Sequence, residues 1–89
     1  MKIRIDPHTL ERALERGTYK EEIIDVLNTG FEISAKSNRR CKTKVFNYEQ
    51  KRLNTFYKQK KVDVFYTIEN DTIITITVYV FYGSWKEPK

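Results

Sequence analysis

The apolar residues of this chain change their spacing once, at Phe31, and that switch limits the possible folds more than any other feature. From Leu10 to Leu27 they recur every three or four residues, the period of a helix burying one stripe. From Phe31 to Phe81 they alternate with polar residues, the period of a strand burying one face. Helices followed by strands hide both apolar surfaces most simply by laying the helices on a sheet. The expected fold is therefore α+β, with two N-terminal helices packed on an antiparallel sheet of about four to five strands. Its 89 residues fit a single domain over 1–89. A domain of this size hides only about 60 to 65% of the surface its unfolded chain exposes, so the core should be thin.

Local signals punctuate both halves. Asp6-Pro7 marks a helix start, because Asp accepts orphan amide protons and Pro suits the first helical position. Leu10, Ala13 and Leu14 then form the expected buried face, with His8, Arg12 and Arg16 on the opposite, polar side beside Glu11 and Glu15. Gly17 closes this helix, and Thr18-Tyr19-Lys20-Glu21 reads as a capping box opening a second, whose core stripe is Ile23, Val26 and Leu27. Asn28-Thr29-Gly30 ends it. Strands are expected over Phe31 to Ala35, Lys44 to Tyr48, Leu53 to Tyr57, Val62 to Ile68 and Ile73 to Phe81, the last two joined at Glu69-Asn70-Asp71. In the final strand the alternation sets Ile74, Ile76, Val78 and Val80 against Thr75, Thr77, Tyr79 and Phe81, and its apolarity suits the centre of a sheet.

The charge is unevenly distributed. Lys36, Arg39, Arg40, Lys42, Lys44, Lys51, Arg52, Lys58, Lys60 and Lys61 meet only Glu49 between residues 36 and 61, so this segment carries +9 against −4 in the rest of the chain and +5 overall. Such asymmetry points to a polyanion, with RNA the first choice, although a solvated basic surface is the plainer reading. Cys41 is the single cysteine and cannot form an internal disulfide, which fits a reducing compartment. The N-terminus reaches charged residues too early for a signal peptide, and no apolar run approaches a membrane span, so a cytoplasmic location is expected.

Four groups of residues carry a family pattern: His8-x3-Arg12-x3-Arg16-Gly17, Thr18-x2-Glu21-Glu22-Ile23, the strand Ile74-Thr75-Ile76-Thr77-Val78-Tyr79, and the trailing Trp85-Lys86. In this order the chain resembles a small family of the RelE/ParE toxin superfamily. The match spans nearly the whole length, with the middle from Lys36 to Lys61 alike only in being basic and stranded. What the resemblance implies is two helices on a curved antiparallel sheet, a fold shared by metal-independent ribonucleases that cut messenger RNA, some on the ribosome. It also implies an antitoxin partner that covers the basic face. Other relatives poison gyrase, and fold alone does not establish function.

Cutting RNA without a metal requires a base for the 2′-hydroxyl proton, an acid for the leaving 5′-oxygen and cations for the charged intermediate. His8 lies near a helix N-terminus, where the dipole favours neutral imidazole, with Arg12 and Arg16 on its side to hold phosphate. The alternative is a surface histidine with arginines paired to Glu11 and Glu15. Tyr79 and Thr77 are further candidates for proton transfer, or else fill the second side of the sheet. Arg39, Arg40, Lys42, Lys44, Arg52, Lys58, Lys60 and Lys61 are expected to bind RNA phosphates, and Tyr57 or Tyr66 to stack on an unpaired base. Magnesium or zinc chemistry is disfavoured, because Asp6 and His8 have no accompanying acidic cluster, and no cofactor is expected. Cys41 sits in a basic run expected to lower its thiol pKa, but no second histidine stands ready as its base.

Overall fold

The computed structural model describes residues 1–85. The elements run β1 (Lys2–Arg4), α1 (Pro7–Arg16), α2 (Lys20–Thr29), β2 (Phe31–Ile33), β3 (Arg40–Arg52), β4 (Thr55–Glu69) and β5 (Thr72–Gly83). They build one five-stranded sheet in the order β1-β5-β4-β3-β2, with both helices on one face. The fold is α+β, two helices on a sheet. β2 to β5 form an antiparallel meander, and β1, whose residues gave no strand signal, adds a short parallel pairing to β5 that makes the sheet mixed.

Local chemistry explains most boundaries. Asp6 caps α1 by accepting the His8 amide at 2.8 Å, and Pro7 follows it. Gly17 leaves α1 at φ 94°, a left-handed conformation that suits glycine, and the amides of Gly17 and Thr18 both return to the Ala13 carbonyl. The expected capping box is not formed. Tyr19 is the N-cap of α2 without a side-chain bond, and the Thr18 hydroxyl donates to Glu22 at 2.8 Å instead. Gly30 is needed for space rather than for a left-handed turn. Its φ is −74°, but a Cβ there would lie 2.5 Å from the Val26 carbonyl oxygen and 2.7 Å from that of Thr43.

The buried stripe of α1 is Thr9 and Ala13 rather than Leu10, Ala13 and Leu14. Leu14 remains 75% exposed, because α1 leans onto β5 through its other side, where the Thr75 hydroxyl donates to that of Thr9 at 3.0 Å. Ala13, Ile23, Val26 and Leu27 pack against Val62, Val64, Tyr66, Ile73 and Val78, with Ile3, Ile5, Phe46, Ile68 and Val80 around them. Each fully buried aliphatic side chain here contributes about 1.5 to 3 kcal/mol relative to exposure.

The strands differ from the sequence reading in three ways. The segments expected as Lys44 to Tyr48 and Leu53 to Tyr57 belong to longer strands, with Leu53 and Asn54 in the two-residue turn between β3 and β4. The strand at the centre is β4, whereas β5 beyond Ile74 has no strand on its outer side among the described residues. Thr75 pairs with Tyr66 and Thr77 with Phe65, so Ile76 is an extra residue, a β-bulge that reverses the alternation along β5. On the helix side therefore lie Ile73, Thr75, Val78, Val80 and Tyr82, and the expected row beginning Ile74, Ile76 is broken. Asn70 and Asp71 turn the β4–β5 hairpin with positive φ at both positions, as their residue types predict.

Candidate nucleic-acid interface

The two faces of the sheet treat basic residues in opposite ways. Lys42, Lys44 and Lys60 lie on the helix side, where they satisfy groups left open by the helices. Lys60 is 6% exposed and donates to the Gly17 carbonyl at 2.8 Å and to Glu22 at 2.6 Å, near the rings of Tyr19 and Tyr48. Lys42 donates to the Leu27 carbonyl at 2.8 Å near the end of α2. Lys44 donates to Asp25 at 2.9 Å and to Thr29 at 2.8 Å, which holds the Asp25 carboxyl below its ordinary pKa. Arg52 donates to the Glu15 carbonyl at 3.0 Å and lies over the Tyr82 ring. The Tyr82 hydroxyl donates to the Arg16 carbonyl at 2.6 Å, so three consecutive carbonyls at the end of α1 each receive a donor from the sheet. Cations at these helix C-termini also oppose the negative end of the dipole.

These contacts correct the expected RNA-binding set. Lys42, Lys44, Arg52 and Lys60 are structural groups joining helices to sheet, not free phosphate ligands. Arg39, Arg40 and Lys58 are exposed; Arg40 lies 3.8 Å from Glu32, and both arginines line an open cavity of about 820 Å³ beside Asn38 and Thr67. Tyr57 is half-buried against Tyr82, and Tyr66 is buried with its hydroxyl toward Glu32, so Tyr66 cannot meet a base.

Among the described residues no helix covers the other face. The register puts Asp63 across from Tyr79, Lys61 across from Phe81 and Phe65 across from Thr77, with Thr43 across from Asp63 on the far side. Tyr79 and Phe81 are 43% and 45% exposed. Each has a cation beside it, with the Arg16 guanidinium 4.9 Å from the Tyr79 ring centre and the Lys61 ammonium 5.0 Å from that of Phe81. Lys61 is also 5.9 Å from the Trp85 ring, and the Trp85 amide donates to Gln59 at 2.6 Å, which docks the tryptophan at the end of this row. Lys86, the last residue of the family pattern, lies outside the described residues. Asp63 is nearly buried, accepts a hydrogen bond from Thr43 and stands 4.0 Å from Lys61.

Of the five expected catalytic residues, Arg16 and Tyr79 are brought together, with Thr77 on the same face as Tyr79. Arg16 does not point away from the sheet as its helical spacing suggests. Half-buried, it reaches the outer edge of β5 and donates to the Val78 carbonyl at 2.8 Å. His8 and Arg12 stay on the helix surface, His8 3.9 Å from Glu11 and Arg12 3.1 Å from Glu15; the plainer reading gave His8 a surface place and Arg12 a glutamate partner, but paired Arg16 in the same way, which the structure does not. Asp63 and Phe81 were not among the expected site residues. The alternation Lys61, Asp63, Phe65 was available to suggest that Asp63 shares the face of Lys61.

Cys41 is corrected as well. It is fully buried, and desolvation with the nearby Asp63 charge pushes its thiol up to about 11, outweighing the opposite pull of Lys61. Among the described residues no three His, Cys, Asp or Glu side chains stand close enough to hold a metal ion, and no helix is long and apolar enough to cross a membrane. Comparison with family models, curated proteins and solved structures finds no match for this chain.

Proposed function

We propose that the chain is a RelE/ParE-like domain that binds single-stranded RNA on the open face of the sheet and cuts it there without a metal ion. The observation that carries this reading is the row of Tyr79, Phe81 and Trp85, each ring within 6 Å of a cation. Unpaired bases stack on aromatic rings while neighbouring cations meet the phosphates, the combination by which proteins hold single strands. Residues 79 and 81 are two apart on one strand, about 6.8 Å along it, which offers places for successive splayed bases.

Cleavage would proceed by attack of a 2′-oxygen on the adjacent phosphorus, its proton passing to a base. The bond from phosphorus to the 5′-oxygen then breaks as that oxygen receives a proton from an acid, leaving a 2′,3′-cyclic phosphate and a 5′-hydroxyl. The Tyr79 phenol can exchange a proton, and the Arg16 guanidinium beside it can meet the charge that develops on the phosphate. In a toxin of this kind, a cytoplasmic antitoxin would cover the same face.

The test is end-labelled RNA incubated with pure protein in EDTA, alone and with ribosomes, followed by analysis of fragment ends. Cyclic phosphate ends are expected, and Tyr79→Phe should bind RNA as before but cut about 100-fold more slowly or worse. Binding without cutting by the wild-type protein in every condition leaves a non-catalytic RNA-binding module. Absence of binding at low salt removes the RNA reading altogether.

A further inference from the structure

β3 and β4 continue past the end of β5, whose Gly83 pairs with Gln59, so residues 48–58 form a two-stranded ribbon with no third strand among the described residues. Its root is fixed by the Tyr82 ring, which meets Tyr48 at 5.2 Å, Tyr57 at 5.4 Å and Arg52 at 4.9 Å. Its tip is apolar and bare, with Leu53 91% and Phe56 60% exposed. Leu53 and Asn54 turn the tip with φ 51° and 68°. A two-residue turn of this sort suits Asn or Gly, and a leucine in the left-handed region is strained. Among the described residues Leu53 is left almost wholly uncovered, so their packing gives no reason for a large apolar side chain there. Lys51 is the cross-strand partner of Phe56, and Lys58 follows Phe56 by two residues on the same strand, so both share its face of the ribbon. Both lysines are exposed and have no ion-pair partner among the described residues.

We infer that this ribbon is a wedging arm for RNA, in which Leu53 and Phe56 enter between bases while Lys51 and Lys58 hold the phosphates on either side. An apolar wedge flanked by cations matches a polyanion whose interior is a stack of flat apolar rings. The inference rests on the proposed binding of RNA and names a second contact for it, separate from the open face. The arm separates the stack, and the rings of Tyr79 and Phe81 receive bases that have left it.

The experiment follows 2-aminopurine fluorescence in a single-stranded oligonucleotide, which brightens when the labelled base unstacks, together with affinity against salt. The full-length protein is compared with Leu53→Asn/Phe56→Thr, whose residues suit the turn and the strand, and with Lys51→Gln/Lys58→Gln. Wild-type protein should bind and brighten the probe. The tip variant should lose most of the brightening and roughly 5- to 150-fold in affinity while keeping the salt slope. The lysine variant should lower the log-log salt slope by about 1.4. Undiminished brightening by the tip variant overturns the wedge while leaving RNA binding by the open face intact. Failure of the wild-type protein to bind the oligonucleotide at low salt overturns both readings.

Discussion

On the face of the sheet covered by helices, Lys42, Lys44 and Lys60 donate to backbone carbonyls and carboxylates, whereas on the open face Lys61 lies over two aromatic rings near solvent. Lys60 and Lys61 are adjacent in sequence, equal in charge and opposite in role. Alternation along β4 turns one toward the α1–α2 junction and the other away. The difference teaches that a local excess of basic residues measures a binding surface only after the cations used by the fold have been removed. Here Lys42, Lys44, Arg52 and Lys60 are taken up by the helices, while Arg39, Arg40, Lys58 and Lys61 stay within reach of solvent.

The sharpest way to break this contrast is to remove each lysine in turn. Lys60→Met should destabilise the protein by about 3 to 5 kcal/mol, because it strands the Glu22 carboxylate beside the α1–α2 junction, and urea unfolding measures it. A loss under about 1 kcal/mol would show that Lys60 is not the internal tie its contacts describe.

The next effect is a loss of stability in alkali. The unfolded Cys41 thiol ionises near 9, whereas the folded one holds its proton to about 11. Its contribution is therefore full below pH 9 and falls by roughly 2 to 3 kcal/mol as pH rises to about 11. Burial also raises the Tyr66 and Tyr82 hydroxyls, which adds loss of the same sign at higher pH. Cys41→Ala should flatten the part of the slope that starts near pH 9, whatever it costs at neutral pH. An unchanged slope would show that the thiol is not buried as described.

Gly17→Ala comes third. Its left-handed backbone disfavours a side chain, and the new Cβ would run into the Tyr82 hydroxyl, so roughly 1 to 2 kcal/mol should be lost in thermal or urea unfolding. The smallest effect on stability belongs to Lys61→Gln, expected to cost about 0.5 to 1 kcal/mol, since Asp63 loses a cation 4.0 Å away but keeps its bond from Thr43. Its consequence should appear in RNA affinity, as a log-log salt slope lower by about 0.7. If Lys60→Met lowers that slope equally in the folded protein, the two faces do not differ as described.

Much of the fold was legible from single residues with one physical meaning. Asp6-Pro7, Gly17 and Asn70-Asp71 act through their own backbone and immediate neighbours, so their consequences are present in the sequence. The period change at Phe31 separated helices from strands for the same reason. The site was less legible. Nothing local marks Ile76 as the extra residue in β5, yet that insertion moves Thr75 under α1 and leaves Thr77, Tyr79 and Phe81 on the open face. Arg16 belongs to a polar stripe by helical spacing, and only the packing of α1 on β5 through Thr9 and Ala13 brings it to the Tyr79 ring.

The sequence by itself determined that two helices precede the antiparallel strands, the Asp6 and Gly17 caps of α1, the Asn70-Asp71 turn and an excess of positive charge, because each depends on neighbours within a few residues. Tertiary structure alone decided which cations hold the helices in place and which face the solvent. That allocation depends on strand register, on bulges that reverse the alternation and on the direction in which a helix leans, all set by packing between residues distant in the chain.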